Sequence, residues 1–446
     1  MITEKKNYCS RPNENEDTDC YSLSINERYF LYDVNPPEGF NLRRDVFMRV
    51  AVLIRKLRKY GNWTLVLPPW DNLYHWRSDD VGGQRSLPWA LFFDLDSIKK
   101  FIPVIEFEDF IKDESNRIID EVFFLQNYKD AWESNNWEDK MDIEACIGKL
   151  PYSVNAKGEY KNEFWGHGSS IKGKRVRCLS FQGPASYIIP LLVGGKRIGT
   201  GKKGWVIKPD ENIARTVMVD RAEIMLHDEF GSPEYWRARR SMRFAHHLVA
   251  EAKEFRKMRL NSTDIKDETL RPLSWMDEKP QAVDDGFKKG GPYLCVHMRR
   301  MDFVWGRTSE VPTVKWAAQQ VKNHLKRLNL VTVFLATDAP EEEIEEFQQH
   351  IGPNYDVVHW KPSIDLKAMY KDGGVAIIEQ IICSHSRFFV GTHESTFSFR
   401  IQEEREIMGF NPDSTFNRLC GGDGTPSKSS PKKDKCEKPS RWRIAF

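Results

Sequence analysis

The sequence predicts an α/β protein of two Rossmann-like domains that face each other across a cleft. Three observations support this. At 446 residues the chain exceeds what one hydrophobic core usually supports, so two domains are the starting expectation. Between Glu27 and Leu67 a strand, a glycine-containing turn, a helix and a second strand follow one another, a βαβ unit that implies a parallel sheet. The same alternation resumes at Tyr293, beyond the polar, Pro-containing stretch Asn261 to Gln281 near which the boundary belongs. The expected division is a polar tail over residues 1–24, a first domain over 25–258 and a second over 259–446.

In the first domain, Glu27 to Val34 (ERYFLYDV) is the opening strand. Asn35 to Asn41 stops it, because Pro36 and Pro37 lack donors and Gly39 permits a tight turn. From Leu42 the pattern is helical, with Phe47, Val50, Ile54 and Leu57 on one face, and Thr64 to Leu67 is the next strand. Trp70 to Lys99 is loop-rich. Its Asp94-Leu95-Asp96 invites a metal-binding reading, but it follows an apolar run and a helix N-cap is expected instead, so no metal is predicted. Pro103 to Phe107 reads as strand and Glu108 to Trp137 as mostly helix. Asn155 to Lys174 is a polar, Gly-rich excursion. Gly194 to Gly204 is not a P-loop, since no glycine stands five residues before Gly201-Lys202 and no Ser or Thr follows; a flexible surface insert is expected. Thr216 to Val219 is the last strand of this domain, and a helix opened by Ser232-Pro233 runs to about Lys257.

In the second domain the expected strands are Tyr293 to Val296, Thr332 to Ala336, Asp356 to Val358 and Arg387 to Gly391. Val314 to Leu328, Glu341 to His350 and the apolar Val375 to Cys383 are the expected helices. Gly391 to Thr396 opens a further helix containing Phe397 and Phe399. Gly421 to Ser440 is a Gly-, Ser- and Lys-rich tether whose ends Cys420 and Cys436 would staple.

Chemistry-bearing residues gather at strand ends. His297, Arg299, Arg300 and Asp302 directly follow Tyr293 to Val296, where an open α/β sheet puts its ligand. Two arginines there favour an anionic ligand, the alternative being a surface pair bridged to nearby carboxylates. Free backbone N–H groups at the helix start near Ser395 and Thr396 suit phosphate, although an ordinary N-cap explains Ser395 equally well. Glu38, at the carboxyl end of the first strand, can accept a proton from an incoming hydroxyl, or simply complement the helix dipole.

Composition removes other classes. A formal net charge of +2 with 30% charged residues gives no strong field for nucleic acid, and no apolar run is long enough to cross a bilayer. Aromatics at 12% suit a carbohydrate- or protein-binding surface and a large core alike. The polar N-terminal segment lacks the apolar core of a secretory signal, so a leader is expected to have been removed or to lie outside this chain. Eight cysteines without a Cys-x-x-Cys signature still point to an oxidising compartment, with Cys146/Cys178 and Cys420/Cys436 at spacings suited to local bridges. Cys9, Cys20, Cys295 and Cys383 receive no pairing. Asn62-Trp63-Thr64 and Asn261-Ser262-Thr263 are acceptors for N-glycosylation.

The run His297-Met298-Arg299-Arg300-Met301-Asp302, taken with NPPEGFNLRRD at Asn35 to Asp45 and STFSFRIQEERE at Ser395 to Glu406, resembles the protein O-fucosyltransferases that use GDP-fucose, and among them those acting on thrombospondin type 1 repeats. The resemblance extends from about Tyr29 to the C-terminus. It implies the GT-B architecture, the endoplasmic reticulum lumen, no cofactor and no metal. The implied reaction is inverting transfer of fucose from GDP-β-L-fucose to a Ser or Thr hydroxyl of a folded repeat carrying Cys-x-x-Ser/Thr-Cys. It further implies that Glu38 is the catalytic base and that Pro37, Glu38, Gly39, Phe40 and Asn41 contact the nucleotide sugar. His297, Met298 and Arg299 join that donor site, with Arg299 stabilising the departing GDP, and Ser395, Thr396 and Phe397 lie at the diphosphate. Glu379 would accept two hydrogen bonds from guanine, where the family carries Asp. A functional role falls on Glu404, whose alternative is a salt bridge supporting Arg299 or Arg300. Two rival readings stay open here: an O-fucosyltransferase for EGF-like repeats, and a non-catalytic chaperone of the secretory pathway.

Overall fold

Two large, mainly parallel sheets form, and both point the carboxyl ends of their parallel strands at the same cleft. The structure, a computed structural model, describes residues 27–71, 73–129, 137–161, 171–197, 205–207, 214–279, 286–307, 310–392, 394–422 and 444–446. The first half contains β1 (Arg28–Tyr32), α1 (Phe40–Leu57), β2 (Trp63–Leu67), β3 (Val104–Glu106), β4 (Glu121–Gln126), β5 (Lys140–Glu144), β6 (Val176–Gln182), β7 (Thr216–Asp220), α2 (Pro233–Ser241) and α3 (His246–Leu260). Its seven-stranded sheet has the order β3-β2-β1-β7-β4-β6-β5, all parallel except the edge strand β5. Phe30 of β1 lies opposite Leu65 on one side and Val217 on the other. The chain leaves β1 toward β2 while β7 closes the other side, so the turn after β1 sits at a topological switch point.

The second half contains β8 (Gly291–Met298), α4 (Met301–Gly306), α5 (Val314–Leu328), β9 (Thr332–Thr337), α6 (Glu341–Ile351), β10 (Asp356–Val358), α7 (Ile364–Ser384), β11 (Ser386–Thr392), α8 (Thr396–Met408) and β12 (Asn417–Leu419). The order β10-β9-β8-β11-β12 is parallel throughout and puts a second switch point at the end of β8. One apolar core is shared by the halves: Phe47 and Ile54 of α1 belong to the same buried cluster as Ile377 and Ile381 of α7.

Several expectations are corrected. Glu108 to Trp137 is not mostly helical. After a single turn at Phe107–Phe110 come a short strand at Ile118–Ile119 and then β4, whose EVFFLQ run is buried between β6 and β7. Pairing on both edges overrides the charged, helix-like flanks of that run. The helix expected from Ser232 to Lys257 is two helices, α2 capped by Ser232 Oγ at 3.3 Å from Tyr235 N, and α3; Met242, at φ −80° and ψ 65°, breaks them apart. The expected flexible insert has paired arms: Gly195–Arg197 and Trp205–Ile207 form an antiparallel hairpin, while its tip, 198–204, lies outside the described residues. Residues 162–170 of the 155–174 excursion lie outside them too; Tyr160–Lys161 joins a small sheet with Ser153–Val154 and Lys172–Gly173. Helix α7 starts at Ile364, well before the expected Val375, and carries a break at Lys371 (φ 58°, ψ 175°).

The Cys146–Cys178 disulfide is present. Cys295 and Cys383 form a second, tying β8 to α7, both buried. Cys436, expected opposite Cys420, lies outside the described residues, as do Cys9 and Cys20. Asp94 caps a short helix, as expected, accepting from Ser97 N at 3.1 Å. Among the described residues no helix is long and apolar enough to cross a membrane.

Candidate functional site

The turn between β1 and α1 is held rigid by Arg43. Its Nε donates to Glu38 O at 3.0 Å, and its Nη2 donates to the carbonyls of Val34 and Asn35, each at 3.1 Å. Glu38 therefore projects from a fixed backbone, half-buried, and among the described residues its carboxylate has no hydrogen-bond partner. Burial raises its pKa above the ordinary value and Glu223 adds to this, against Arg43 and Arg49. Such a carboxylate suits proton acceptance better than a helix-dipole contact, for which no bond to a backbone N–H is made.

Across a cleft of about 410 Å³ stand the ends of β8, α7 and α8. Pro37, Glu38, Gly39, Phe40 and Asn41 line one wall, and His297, Arg299, Glu379, Ser395, Thr396 and Phe397 the other. Phe40 is held in an aromatic cluster with Trp70, Trp76 and Phe92. The Asn41 Oδ1 accepts from Arg44 Nη1 (3.1 Å) and Gln380 Nε2 (3.0 Å), tying the two walls together.

His297 is buried, its Nδ1 lies 2.8 Å from Ser398 Oγ, and its ring stacks on Phe397 with centroids 4.3 Å apart. Burial and then Arg299 lower its pKa to about 3, so it is neutral. Arg299 pairs with Asp302 at 2.5 Å and Asp338 at 2.6 Å. Helix α8 begins at Thr396 behind Ser395, which has extended backbone angles and makes no side-chain cap bond, so the first-turn N–H groups are available to an anion. Glu379 is pushed up to about 8, first by burial and then by Asp338, and has no partner among the described residues.

Three of the residues singled out in the sequence have side chains away from the cleft lining. Arg300 turns out of the cleft: its Nε donates to Glu343 Oε2 at 2.6 Å and its Nη1 to Pro312 O at 2.8 Å. The Met298 side chain is fully buried in the apolar core, because alternation along β8 sends it to the face opposite His297. Glu404 does not reach the cleft and supports neither Arg299 nor Arg300; it is buried against Arg239 and Arg271, each at 2.7 Å. Conversely, His75, Trp76, Phe303, Asp338 and Asp372 line the cleft without having been singled out. The signal for the first two was an aromatic and histidine run, Tyr74-His75-Trp76, inside a loop.

A cleft between two parallel sheets, walled by an unpaired carboxylate on one side and by an arginine and a helix N-terminus on the other, defines the GT-B class of glycosyltransferases. The same architecture occurs in a crystal structure of POFUT1 in complex with GDP, at a TM-score of 0.53 and 16% identity over 89% of this chain and 99% of that one. The chain belongs to the GDP-fucose protein O-fucosyltransferase family, whose profile matches residues 29–408. It is 46% identical over 419 residues to human GDP-fucose protein O-fucosyltransferase 2, covering 94% of this chain and 90% of the human one. The Caenorhabditis elegans protein of the same name is 39% identical over 432 residues, covering 96% and 93%.

Proposed function

We propose that this chain transfers fucose from GDP-β-L-fucose to a Ser or Thr hydroxyl of folded thrombospondin type 1 repeats, with inversion and without a metal. The observation that carries the proposal is that Glu38 and Arg299, one from each half, line a single cleft. Glu38 takes the proton from the acceptor hydroxyl as its oxygen attacks the anomeric carbon. The bond from that carbon to the β-phosphate oxygen breaks, and its electron pair leaves with GDP. Arg299 and the N-terminus of α8 at Ser395 to Phe397 stabilise the charge that develops there, a task otherwise given to a divalent cation. Single displacement needs one base and no covalent intermediate, which a lone Glu38 satisfies.

In this reading residues 25–258 present the base and the acceptor side, and residues 259–446 hold the donor. Neutral His297 orients the fucosyl diphosphate, and Glu379 receives the guanine edge. The half-buried Glu38 without a partner argues against a binding-only chaperone, for which a base would be superfluous. Disulfides and exposed Asn62 and Asn261, both in glycosylation triplets, support the endoplasmic reticulum lumen as the site of action.

The test is mass spectrometry of a folded thrombospondin repeat and a folded EGF-like repeat, each incubated with the protein, GDP-fucose and EDTA. One added deoxyhexose on the thrombospondin repeat alone is expected. Addition to the EGF-like repeat instead would overturn the acceptor assignment, and no addition to either, with GDP still bound, would overturn the enzyme.

A further inference from the structure

One side chain touches both chemical walls of the cleft, and it belongs to none of the three sequence motifs. Arg299 Nη2 lies 3.3 Å from His75 Nδ1. On its other side the His75 ring packs on the Glu38–Gly39 turn so closely that a Cβ at Gly39 would stand 3.0 Å from Cδ2 and 3.4 Å from Nε2. A guanidinium has no acceptor, so Nδ1 must be the unprotonated nitrogen and the proton must sit on Nε2. The loop bearing His75 is anchored on both flanks. Trp76 packs against Phe40 and Phe92, and Asp372, at the break in α7, accepts from Ser78 N at 3.2 Å and Gln84 Nε2 at 2.9 Å. Asp302 and Asp338 hold Arg299 from its own half of the chain; His75 holds it from the other.

We propose that His75 is a positioning residue for the transfer reaction, fixing Arg299 relative to the Glu38 turn by accepting its hydrogen bond at Nδ1 while its ring rests on Gly39. This rests on the fucosyl-transfer reading of the cleft. The role requires neutral imidazole: a proton on Nδ1 would remove the acceptor and set a second cation against Arg299. The charged groups around the ring are Arg299 and Asp302 across the cleft and Arg77 on its own loop; burial, then Arg299, lowers its pKa below the ordinary histidine value. Protonation of His75 therefore contributes an acid limb to kcat/KM below the neutral range.

The experiment compares wild type, His75→Ala and His75→Asn for transfer across pH, with GDP affinity by calorimetry and thermal melting alongside. Asparagine places a non-titrating acceptor where Nδ1 stands. Expected is a fall in kcat of roughly tenfold or more for His75→Ala with GDP affinity nearly kept, since misplacing a catalytic group by about 1 Å has effects of that order. His75→Asn should recover to within about threefold of wild type and lose the histidine part of the acid limb. Nitrogen-15 NMR of the full chain, with His75→Asn giving the assignment, should show Nε2–H at neutral pH and a raised pKa in Arg299→Met. Equal activity of wild type and His75→Ala, or equal loss in both variants with the wild-type pH profile intact, would overturn the role. Absence of transfer by the wild type would instead refute the underlying reading.

Discussion

Arg239 donates from Nη2 to Glu404 Oε1 at 2.7 Å, and the two residues come from opposite halves of the chain, α2 and α8. Arg239 also meets Glu403 at 2.5 Å, and Arg271 meets the second oxygen of Glu404 at 2.7 Å. Burial pushes the Glu404 carboxyl up, but Arg239 and Arg271 outweigh it and hold it at about 2. α8 begins at the candidate diphosphate site, and this pair, about two turns further along it, locks the helix against the first half of the chain. Glu404→Ala leaves a buried guanidinium short of a partner, and about 3–5 kcal/mol of stability should be lost. The pKa is depressed, so the contribution is complete above the ordinary value of 4.5 and lost as pH falls toward 2. Melting curves from pH 7 down to 3 should show wild type converging on the variant; parallel curves would refute this account.

In the proposed reaction Glu38 carries the proton-transfer step. Glu38→Ala should lower kcat by about 10² to 10⁴, with GDP affinity within about threefold of wild type. Because burial and Glu223 raise its pKa, wild-type kcat/KM should fall on acidification from above the usual glutamate range. Steady-state rates with calorimetric GDP titrations check both; lost GDP binding would make Glu38 a donor-site residue.

Local signals made much of this legible and non-local ones hid the rest. Helix α5 coincides with its expected span because a Thr313 cap and strong periodicity lie within the segment itself. The Pro37 to Asn41 turn and the start of α8 were visible because glycine, proline and hydroxyl residues mark chain reversals and helix starts. β4 was missed since its strand character depends on β6 and β7, distant in sequence. His75 and Asp338 reach the cleft from loops without periodicity and Asp372 from the break in α7, and nothing local distinguishes a loop carboxylate that meets Arg299 from one that meets water. The burial of the Met298 side chain was legible as well: strand alternation alone puts it opposite His297.

The Cys295–Cys383 bridge links β8 to α7, and so connects the strand bearing His297 with the helix bearing Glu379. A separation of 88 residues makes it a large constraint on the unfolded chain. Replacing both cysteines by Ala should cost about 2–5 kcal/mol, measured as a lower guanidinium midpoint. Replacing Cys146 and Cys178, 32 residues apart, should cost less. An equal or reversed order would show that strand pairing rather than loop closure sets the values.

If Glu379 receives the guanine edge as proposed, donor binding has a pH dependence of definite sign. Its free pKa is about 8, so near neutrality most of the unliganded protein holds this carboxyl protonated. Guanine presents two donors, and only the carboxylate accepts both, so GDP must expel the proton as it binds. At pH 7 only about a tenth of the sites are ionised, so affinity should rise roughly tenfold toward a plateau above pH 8. Calorimetry at pH 7 in two buffers of different ionisation enthalpy should register release of nearly one proton per GDP. In Glu379→Gln both the release and the slope between pH 7 and 8.5 should disappear, which separates this carboxyl from ionisation of the diphosphate. Were wild type and Glu379→Gln to share one slope, Glu379 would not be the guanine contact, and the base would have to be read by another group on the cleft wall.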